Sequence, residues 1–320
     1  MPSAPPISVV MPTCNRPDDV ERALASIARV EYSSWDMLVV DQSDDLQTRE
    51  IVERYAASLP HLSYRHLRSK NCSRARNVGI EATTGEILVF LDDDCTVRPD
   101  WLTQIVAVLD RHPQAAHGYA AVLPPADIAV WSGDGYWPAY STREEIEVKA
   151  KGDIRANFRL PHLLGMGACM FVRREVTKRV DGFDVHFGGG GRFQSHEDGD
   201  YTYRAFRAGF NFVHAPTVVV DHYGVRDFKS GAASRLLRSY SYGRGAWIMK
   251  ALRLRDPFAI LWLMDFLWFH LRLIKPRNLL PGRGPKGVAR LVELVHGLFA
   301  SFQLRIDRES SEYLARTTRS

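Results

Sequence analysis

Residues Gly85 to Leu102, Gly-Glu-Ile-Leu-Val-Phe-Leu-Asp-Asp-Asp-Cys-Thr-Val-Arg-Pro-Asp-Trp-Leu, narrow the possible folds more than any other stretch of the chain. Ile87 to Leu91 is a short, continuous apolar run, the pattern of a strand buried on both faces of a parallel sheet. Asp92, Asp93 and Asp94 follow it directly, and Pro99 then opens a helix. Open α/β sheets bind their ligands at the C-terminal ends of strands. Three adjacent carboxylates repel one another unless a cation or a shared proton intervenes. Oxygen ligands suit Mg2+ or Mn2+, ions usually held by one or two carboxylates plus a substrate's phosphates. Asp also favours turns and helix caps, so a turn that caps the next helix is the competing reading.

The segments before this stretch repeat its logic. Ile7 to Met11 reads as a first strand, closed by Pro12-Thr-Cys-Asn-Arg16-Pro17, and Asp18 and Asp19 are placed to cap a helix reaching Ile27. Met37 to Val40 reads as a second strand ending in Asp41-Gln-Ser-Asp-Asp, with a helix to about Ala57 and a short strand near Ser63 to His66. Asn71 to Ala82 reads as a helix carrying Arg74 and Arg76. Strands alternating with helices predict βαβ units on a parallel sheet, with polar loops converging on one crevice. A nucleotide fits such a crevice: Asp41 can accept from a base or ribose, and either arginine can reach a diphosphate. Two residues apart on a helix, the arginines cannot both face it, and two solvated arginines are the plainer alternative.

The pieces Val-Val-Met-Pro-Thr-Cys-Asn-Arg16, Val-Val-Asp41-Gln-Ser, Ser73-Arg-Ala-Arg-Asn-Val-Gly79 and Phe-Leu-Asp92-Asp-Asp94, in this order, resemble a family 2 glycosyltransferase with the GT-A fold. The similarity runs to His222, about the first two thirds of the chain. It implies an α/β, Rossmann-like, mostly parallel sheet flanked by helices. It also implies that Asp92 and Asp94 bind a divalent ion and the sugar nucleotide, that Asp93 lies near the ribose, and that Pro12, Thr13, Arg16 and Asp41, with Arg74 and Arg76, surround the donor.

Trp101 to Leu109 continues a helix that His112-Pro113 breaks, and Ala116 to Leu123 reads as a strand. Residues from Pro124 to about Pro161 show no regular period. Their Trp131, Tyr136, Trp137 and Tyr140 could stack on sugar rings or form a small packed cluster. Leu163 to Arg174 resembles the family strand that borders donor sugar and acceptor, with Cys169 where many relatives carry Asn. Gly188 to Gly191 reads as a mobile loop able to close over substrate. The run His196-Glu197-Asp198-Gly-Asp200 precedes a helix from Tyr201 to Ala208, which puts Glu197 and Asp198 where the helix dipole favours ionised carboxylates. Inverting transfer needs an ionised carboxylate to take the acceptor's proton. Resemblance to the family's Glu-Asp motif assigns that role to Asp198, with Glu197 orienting it or touching the acceptor. Phe212 to Val220 reads as a closing strand, and resemblance makes His222 after it a further metal ligand. A lone histidine is otherwise an ordinary satisfied residue.

Hydrophobic residues make up 45% of the 320, charged ones 25%, ordinary values for a globular chain. The net charge of +5 is unevenly spread: residues 225–320 carry 18 Lys and Arg against 7 Asp and Glu, and residues 1–224 carry 24 against 30. The halves are therefore +11 and −6. This predicts a catalytic domain over 1–224, with a nucleotide-sugar half to about 123 and an acceptor half after it. A basic helical region over 225–320 would then meet something anionic. Four scattered cysteines predict reduced thiols, and the N-terminus lacks a signal-peptide pattern, which together predict a cytoplasmic protein.

Phe258 to Ile274 is strongly apolar, yet its 17 residues reach only about 26 Å as a helix, and Asp265 interrupts it. Lys275, Arg277, Arg283, Lys286 and Arg290 follow, then an amphipathic helix from Val288 to Ile306. These helices suit peripheral contact with an anionic membrane, or packing on the sheet domain or a second copy in a homo-oligomer. No nucleic-acid motif is present.

Four other functions are weighed. A haloacid-dehalogenase-like phosphatase carries Asp-x-Asp-x-Thr on its first strand, whereas three βα units precede it here. A glycoside hydrolase needs paired carboxylates but no nucleotide loops. A processive synthase adds transmembrane helices and Gln-x-x-Arg-Trp, and a non-catalytic sugar-nucleotide-binding scaffold has no use for Asp198. The expectation is a metal-dependent inverting glycosyltransferase that uses a nucleoside-diphosphate sugar and a glycan or lipid-linked acceptor.

Overall fold

Ile7 to Met11 offers β-branched and long apolar side chains at successive positions, and Ile7–Thr13 becomes strand β1, buried along its whole length. The computed structural model describes residues 4–126, 135–272, 274 and 287–314. After β1 come α1 (Pro17–Ile27), β2 (Trp35–Asp41), α2 (Gln47–Ala56), β3 (Leu62–His66), α3 (Cys72–Ala82) and β4 (Ile87–Leu91). Next are β5 (Cys95–Val97), α4 (Trp101–Arg111), β6 (Ala115–Leu123), β7 (Gly135–Tyr136), β8 (Ile146–Val148) and α5 (Ile154–Leu163). The chain continues through β9 (Cys169–Arg173), α6 (Arg174–Thr177), α7 (Glu197–Arg207), β10 (Asn211–His222), β11 (Arg226–Asp227), α8 (Ala232–Arg253), α9 (Ala259–Arg272) and α10 (Val288–Phe302).

The main sheet has the order β3-β2-β1-β4-β9-β6-β10-β5, with β8 also paired to β10. The strands β3, β2, β1 and β4 run parallel, as the sequence predicts. The chain leaves β1 towards β2 on one side and returns to β4 on the other. This reversal opens a crevice at the C-terminal ends of β1 and β4, where Thr13 and the three acids sit. Strand β9 is inserted antiparallel between β4 and β6, so its start meets the end of β4.

Apolar layers cover both faces. Val20 and Leu24 of α1, Ile51 of α2 and Trp101, Leu102 and Ile105 of α4 cover one. The other layer joins Phe90 and Met170 of the sheet to Phe183, Tyr201 and Phe206, and onward to Trp247 of α8 and Trp262 of α9. The two indoles stack with centroids 5.3 Å apart and planes 9° from parallel. The inner faces of α8, α9 and α10 thus pack on the sheet domain, while Leu261, Met264, Trp268 and Phe269 of α9 stay exposed. Among the described residues, no helix is long and apolar enough to cross a membrane.

Lys250 of α8 is fully buried and donates to Asp184 Oδ2 at 2.9 Å and Asp200 Oδ1 at 2.6 Å. Asp200 also accepts from Arg204 Nε at 2.9 Å, and Asp184 from the backbone N–H of Tyr313 at 2.9 Å. This ionic cluster ties α7, α8 and the C-terminal segment together.

Several local expectations change. Asp18 and Asp19 lie inside the first turn of α1 and cap nothing; Arg16 holds the cap position and Pro17 starts the helix with its preset φ. The segment read as irregular contains α5, capped by Asp153, which accepts from Ala156 N at 2.9 Å. Helix α7 starts at Glu197, a turn before Tyr201. The Gly188–Gly191 loop lies on the N-terminus of α3, where the Cys72 N–H donates to the Gly189 carbonyl at 2.8 Å. Tyr140 joins the core against Tyr119 and hydrogen-bonds His214, which settles it as a packing residue. Trp131, Lys275, Arg277, Arg283 and Lys286 lie outside the described residues.

Candidate active site

The crevice at the ends of β1 and β4 is a cavity of about 430 Å³. Of the residues predicted from sequence, Pro12, Thr13, Arg16, Arg76, Asp92, Asp93, Asp94, Glu197 and His222 line it. The three adjacent acids have different sets of partners, with Arg16 shared by Asp93 and Asp94. Asp92 Oδ1 accepts from Arg76 Nη2 at 2.8 Å. Asp93 accepts from Thr13 Oγ1 at 2.7 Å and from Arg16 Nη1 at 2.9 Å. Asp94 meets His222 Nε2 at 3.3 Å and Arg16 Nη1 at 3.1 Å.

The electrostatics follow those partners. Burial raises Asp92 and lifts Asp93 to about 7, with Arg76 and Arg16 respectively opposing the rise. Burial also works against the charged form of Asp94, yet the hydrogen bond and charge of His222 and the nearby arginines hold it at about 2. His222 is raised in turn, because its bond to Asp94 outweighs its burial.

Asp94 and His222 have the character of a metal site. The ligand atoms of Asp94, Cys95 and His222 lie within 4.8 Å of one another. His222 Nδ1 is buried with no hydrogen-bond partner. The backbone at Gly224 leaves a cradle there: a Cβ would stand 2.7 Å from both Asp94 Oδ2 and His222 Nε2. A hard ion such as Mg2+ or Mn2+ fits the carboxylate and the imidazole. The Cys95 thiol, which burial holds well above its usual range, is a poor third ligand. Asp92, expected to share the ion, stands outside this group with its carboxylate facing Arg76.

Arg76 joins the two ends of the site. It is 2% exposed, and its Nη1 donates to Glu197 Oε1 at 2.9 Å while Nη2 holds Asp92. Burial works against its charge, but the acids around it keep it protonated well above its ordinary range. Glu197 opens α7 at the cavity wall. Asp198 is not itself a lining residue: its Oδ2 accepts from Gly167 N at 2.6 Å and its Oδ1 from Gly199 N at 2.7 Å. Gly167 is required for this approach, since a Cβ there would lie 2.8 Å from Asp198 Oδ2. Burial, followed by the charge of Glu197, lifts Asp198 to about 7. A carboxylate with such a value can gain or release a proton near neutral pH.

Two expected donor contacts are not brought to the cavity. Asp41 is fully buried, with Oδ1 accepting from Ser43 N at 2.9 Å and Oδ2 from Tyr64 Oη at 2.8 Å. Its neighbour Gln42 lines the cavity instead. Arg74 is exposed on the other side of α3 from Arg76. Cys169 is fully buried, and Met166, three residues before β9, lines the cavity instead. Lys70, Arg226, Leu236 and Tyr240 also line the cavity. Nothing in the sequence marks them: Lys70 sits in the loop before α3, and the positions of the other three depend on how the basic C-terminal region folds back. All four cysteines are free, and Cys14 and Cys72 face the cavity.

Comparison with known proteins agrees with this architecture. A family model described as glycosyl transferase family 2 matches residues 8–181. The glycosyltransferase AglE of Haloferax volcanii is 27% identical over 267 residues, covering 81% of this chain and 80% of its own. The succinoglycan biosynthesis protein ExoM of Rhizobium meliloti is 31% identical over 172 residues, 52% of this chain and 54% of its own. Among solved structures, the mannosyltransferase PcManGT of Pyrobaculum calidifontis, in complex with GDP-Man and Mn2+, aligns with a TM-score of 0.59. It is 19% identical, with 94% of this chain and 76% of that one covered. S. aureus TarS 1-349 aligns with a TM-score of 0.56 at 19% identity, covering 92% and 81%.

Proposed function

The chain belongs to glycosyl transferase family 2 and is a glycosyltransferase with the GT-A fold, and from that premise we propose that it transfers a sugar with inversion from a nucleoside-diphosphate sugar to a hydroxyl acceptor, with Asp198 as general base. The observation that carries this reading is the state of Asp198: raised to about 7, fixed at both oxygens by backbone N–H groups, and next to Glu197 on the cavity wall. Solved relatives in complex with GDP-Man and with UDP-GlcNAc support the donor class.

In this reading the acceptor oxygen attacks the anomeric carbon from the face opposite the diphosphate. Its proton passes to Asp198 as the new C–O bond forms. The bond from the anomeric carbon to the diphosphate oxygen breaks, and the nucleoside diphosphate leaves with that electron pair. Arg16, Lys70 and Arg226 on the cavity wall face the growing negative charge of the leaving group. A divalent ion, Mg2+ or Mn2+, held by Asp94 and His222 would supply further positive charge there. Arg76 keeps Asp92 and Glu197 in register, so donor and acceptor ends hold one geometry.

The product in this reading is a glycan or a lipid-linked precursor; relatives named for succinoglycan biosynthesis and amylovoran biosynthesis support the glycan. The exposed apolar face of α9 and the basic balance of the C-terminal region support peripheral attachment to an anionic membrane on its cytoplasmic side. Flotation with anionic vesicles at low salt checks this, and absence of the protein from the vesicle fraction defeats it.

The decisive experiment screens nucleotide sugars with Mn2+ by thermal shift, then measures transfer with the stabilising donor. Asp198→Asn is expected to keep donor binding and lose at least a hundredfold in transfer; full transfer would remove Asp198 as the base. Turnover unaffected by EDTA would remove the metal.

A further inference from the structure

Beyond the donor cavity lies a pair of arginines that form no ion pair among the described residues. Leu236, Tyr240 and Arg244 follow one another at four-residue spacing on α8, and so share one face. The first two line the cavity beside Glu197. Arg244 comes one turn later, about 5–6 Å further along the helix. Helix α8 here runs against the entrance to α7: Ser195 Oγ donates to the Ser239 carbonyl at 2.8 Å, and the His196 ring lies 5.2 Å from Trp247. The pair therefore adjoins the N-terminus that carries Glu197 and Asp198.

Arg244 lies over the ring of Phe266 at 4.5 Å, and its Nε is buried with no hydrogen-bond partner. From α10, Arg290 approaches the same place, its Nε donating to Ser241 Oγ at 3.3 Å. Among the described residues, neither arginine makes an ion pair. Burial and then the charge of Arg290 lower Arg244 to about 10, with Asp198 and Tyr136 opposing less strongly, and burial lowers Arg290. The arginines' charge is also felt by His196 and His270, which burial and the arginines keep neutral, each with an unpartnered Nε2. Two half-buried guanidinium groups left unpaired are costly for the fold alone. Their cost is offset once an oxyanion sits between them, because guanidinium binds phosphate through paired, charge-assisted hydrogen bonds.

We propose that Arg244 and Arg290 form a subsite for a phosphate carried by the acceptor, set one helical turn beyond the cavity wall that Tyr240 supplies. This rests on the glycosyl-transfer reading and narrows its acceptor to a phosphate-bearing molecule. Two guanidinium charges match a phosphate dianion better than a single carboxylate. The phosphate belongs either to an isoprenoid carrier or to a water-soluble phosphorylated glycan.

The test uses the full-length protein with Mn2+ and excess UDP and GDP, so that the donor cavity is filled. Binding of farnesyl phosphate, farnesol, inorganic phosphate and glucuronate is measured by calorimetry for the wild type, Arg244→Gln and Arg290→Gln. Both phosphates are expected to bind the wild type, and each substitution to weaken them at least tenfold without changing nucleotide binding. Farnesyl phosphate binding far more tightly than inorganic phosphate assigns the carrier; equal binding assigns the soluble glycan. Phosphate binding that is absent, or unchanged in both variants, overturns the proposal, as does a preference for glucuronate. Arg290 is the more peripheral of the two arginines, so its variant stays informative if Arg244→Gln unfolds. Loss of nucleotide-sugar binding by the wild type would instead count against glycosyl transfer itself.

Discussion

Lys250→Met removes the buried cation between Asp184 and Asp200 and leaves both carboxylates in place. Breaking a buried ion pair from one side costs about 3–5 kcal/mol, because the remaining charge stays desolvated. Here the lower end applies, since each carboxylate keeps a partner: Asp200 retains Arg204 Nε at 2.9 Å, and Asp184 retains the Tyr313 N–H at 2.9 Å. For an m value near 3 kcal/mol/M, a loss of about 3 kcal/mol moves the urea midpoint down by about 1 M. The pH dependence sharpens the test. Burial opposes ionisation of Asp184, but Lys250 and His186 hold it far below the usual carboxylate range. A carboxylate depressed in the native state stabilises above its unfolded pKa, and that stability fades as pH falls towards the folded value. Without Lys250, burial is left to lift Asp184 above its unfolded value, so the gap between wild type and variant is largest at neutral pH and narrows as pH falls through that raised value towards pH 4. Urea titrations at pH 7 and pH 4 measure both quantities, and Lys250→Met/Asp184→Asn should regain part of the loss at pH 7. A loss under about 1 kcal/mol at pH 7, or a gap that does not change with pH, refutes the reasoning.

Transfer should fall about tenfold per pH unit below pH 7 and level off above it, because the base must be ionised and Asp198 sits near 7; a profile flat down to pH 5.5 would disqualify it. The raised value has the opposite sign for stability, since the native state favours protonated Asp198 and loses stability as pH rises through about 7. Asp198→Asn should therefore melt above the wild type at pH 8, with the difference closing towards pH 4. Gly167→Ala places a methyl 2.8 Å from Asp198 Oδ2; a displaced carboxylate should lower kcat about a hundredfold with nucleotide-sugar binding unchanged, and wild-type kcat would show that this contact does not position the base.

The parallel part of the sheet was readable because Ile7–Met11, Met37–Val40 and Ile87–Leu91 are each continuously apolar, a pattern only strands buried on both faces require. Cys95–Val97 was not readable, because three residues carry no period. Helix α5 hid behind Pro161 near its end and an exposed Ile154 and Phe158 on the face that helical spacing should leave polar. Acid positions at strand ends were legible, but their division among partners was not. Whether Arg74 or Arg76 enters the cavity depends on which face of α3 the Gly188–Gly191 loop and β1 cover, which is a tertiary fact. Asp41 looked like its neighbouring loop acids until Ser43 and Tyr64 closed around it. Lys250, in a basic helix, reads as solvated; only the buried acids of a loop and of α7 reveal it as a core residue.

The wall that Leu236 and Tyr240 lend to the cavity has a consequence for comparing chains of this kind. The range that the family model matches, residues 8–181, stops before Glu197, Asp198, His222 and that wall. Two chains alike over that range hold in common the part of the cavity built from β1, α3 and β4, and are free to differ in the wall that the remainder supplies. A graft of one chain's first 181 residues onto another's remainder would carry that wall along with the shorter piece.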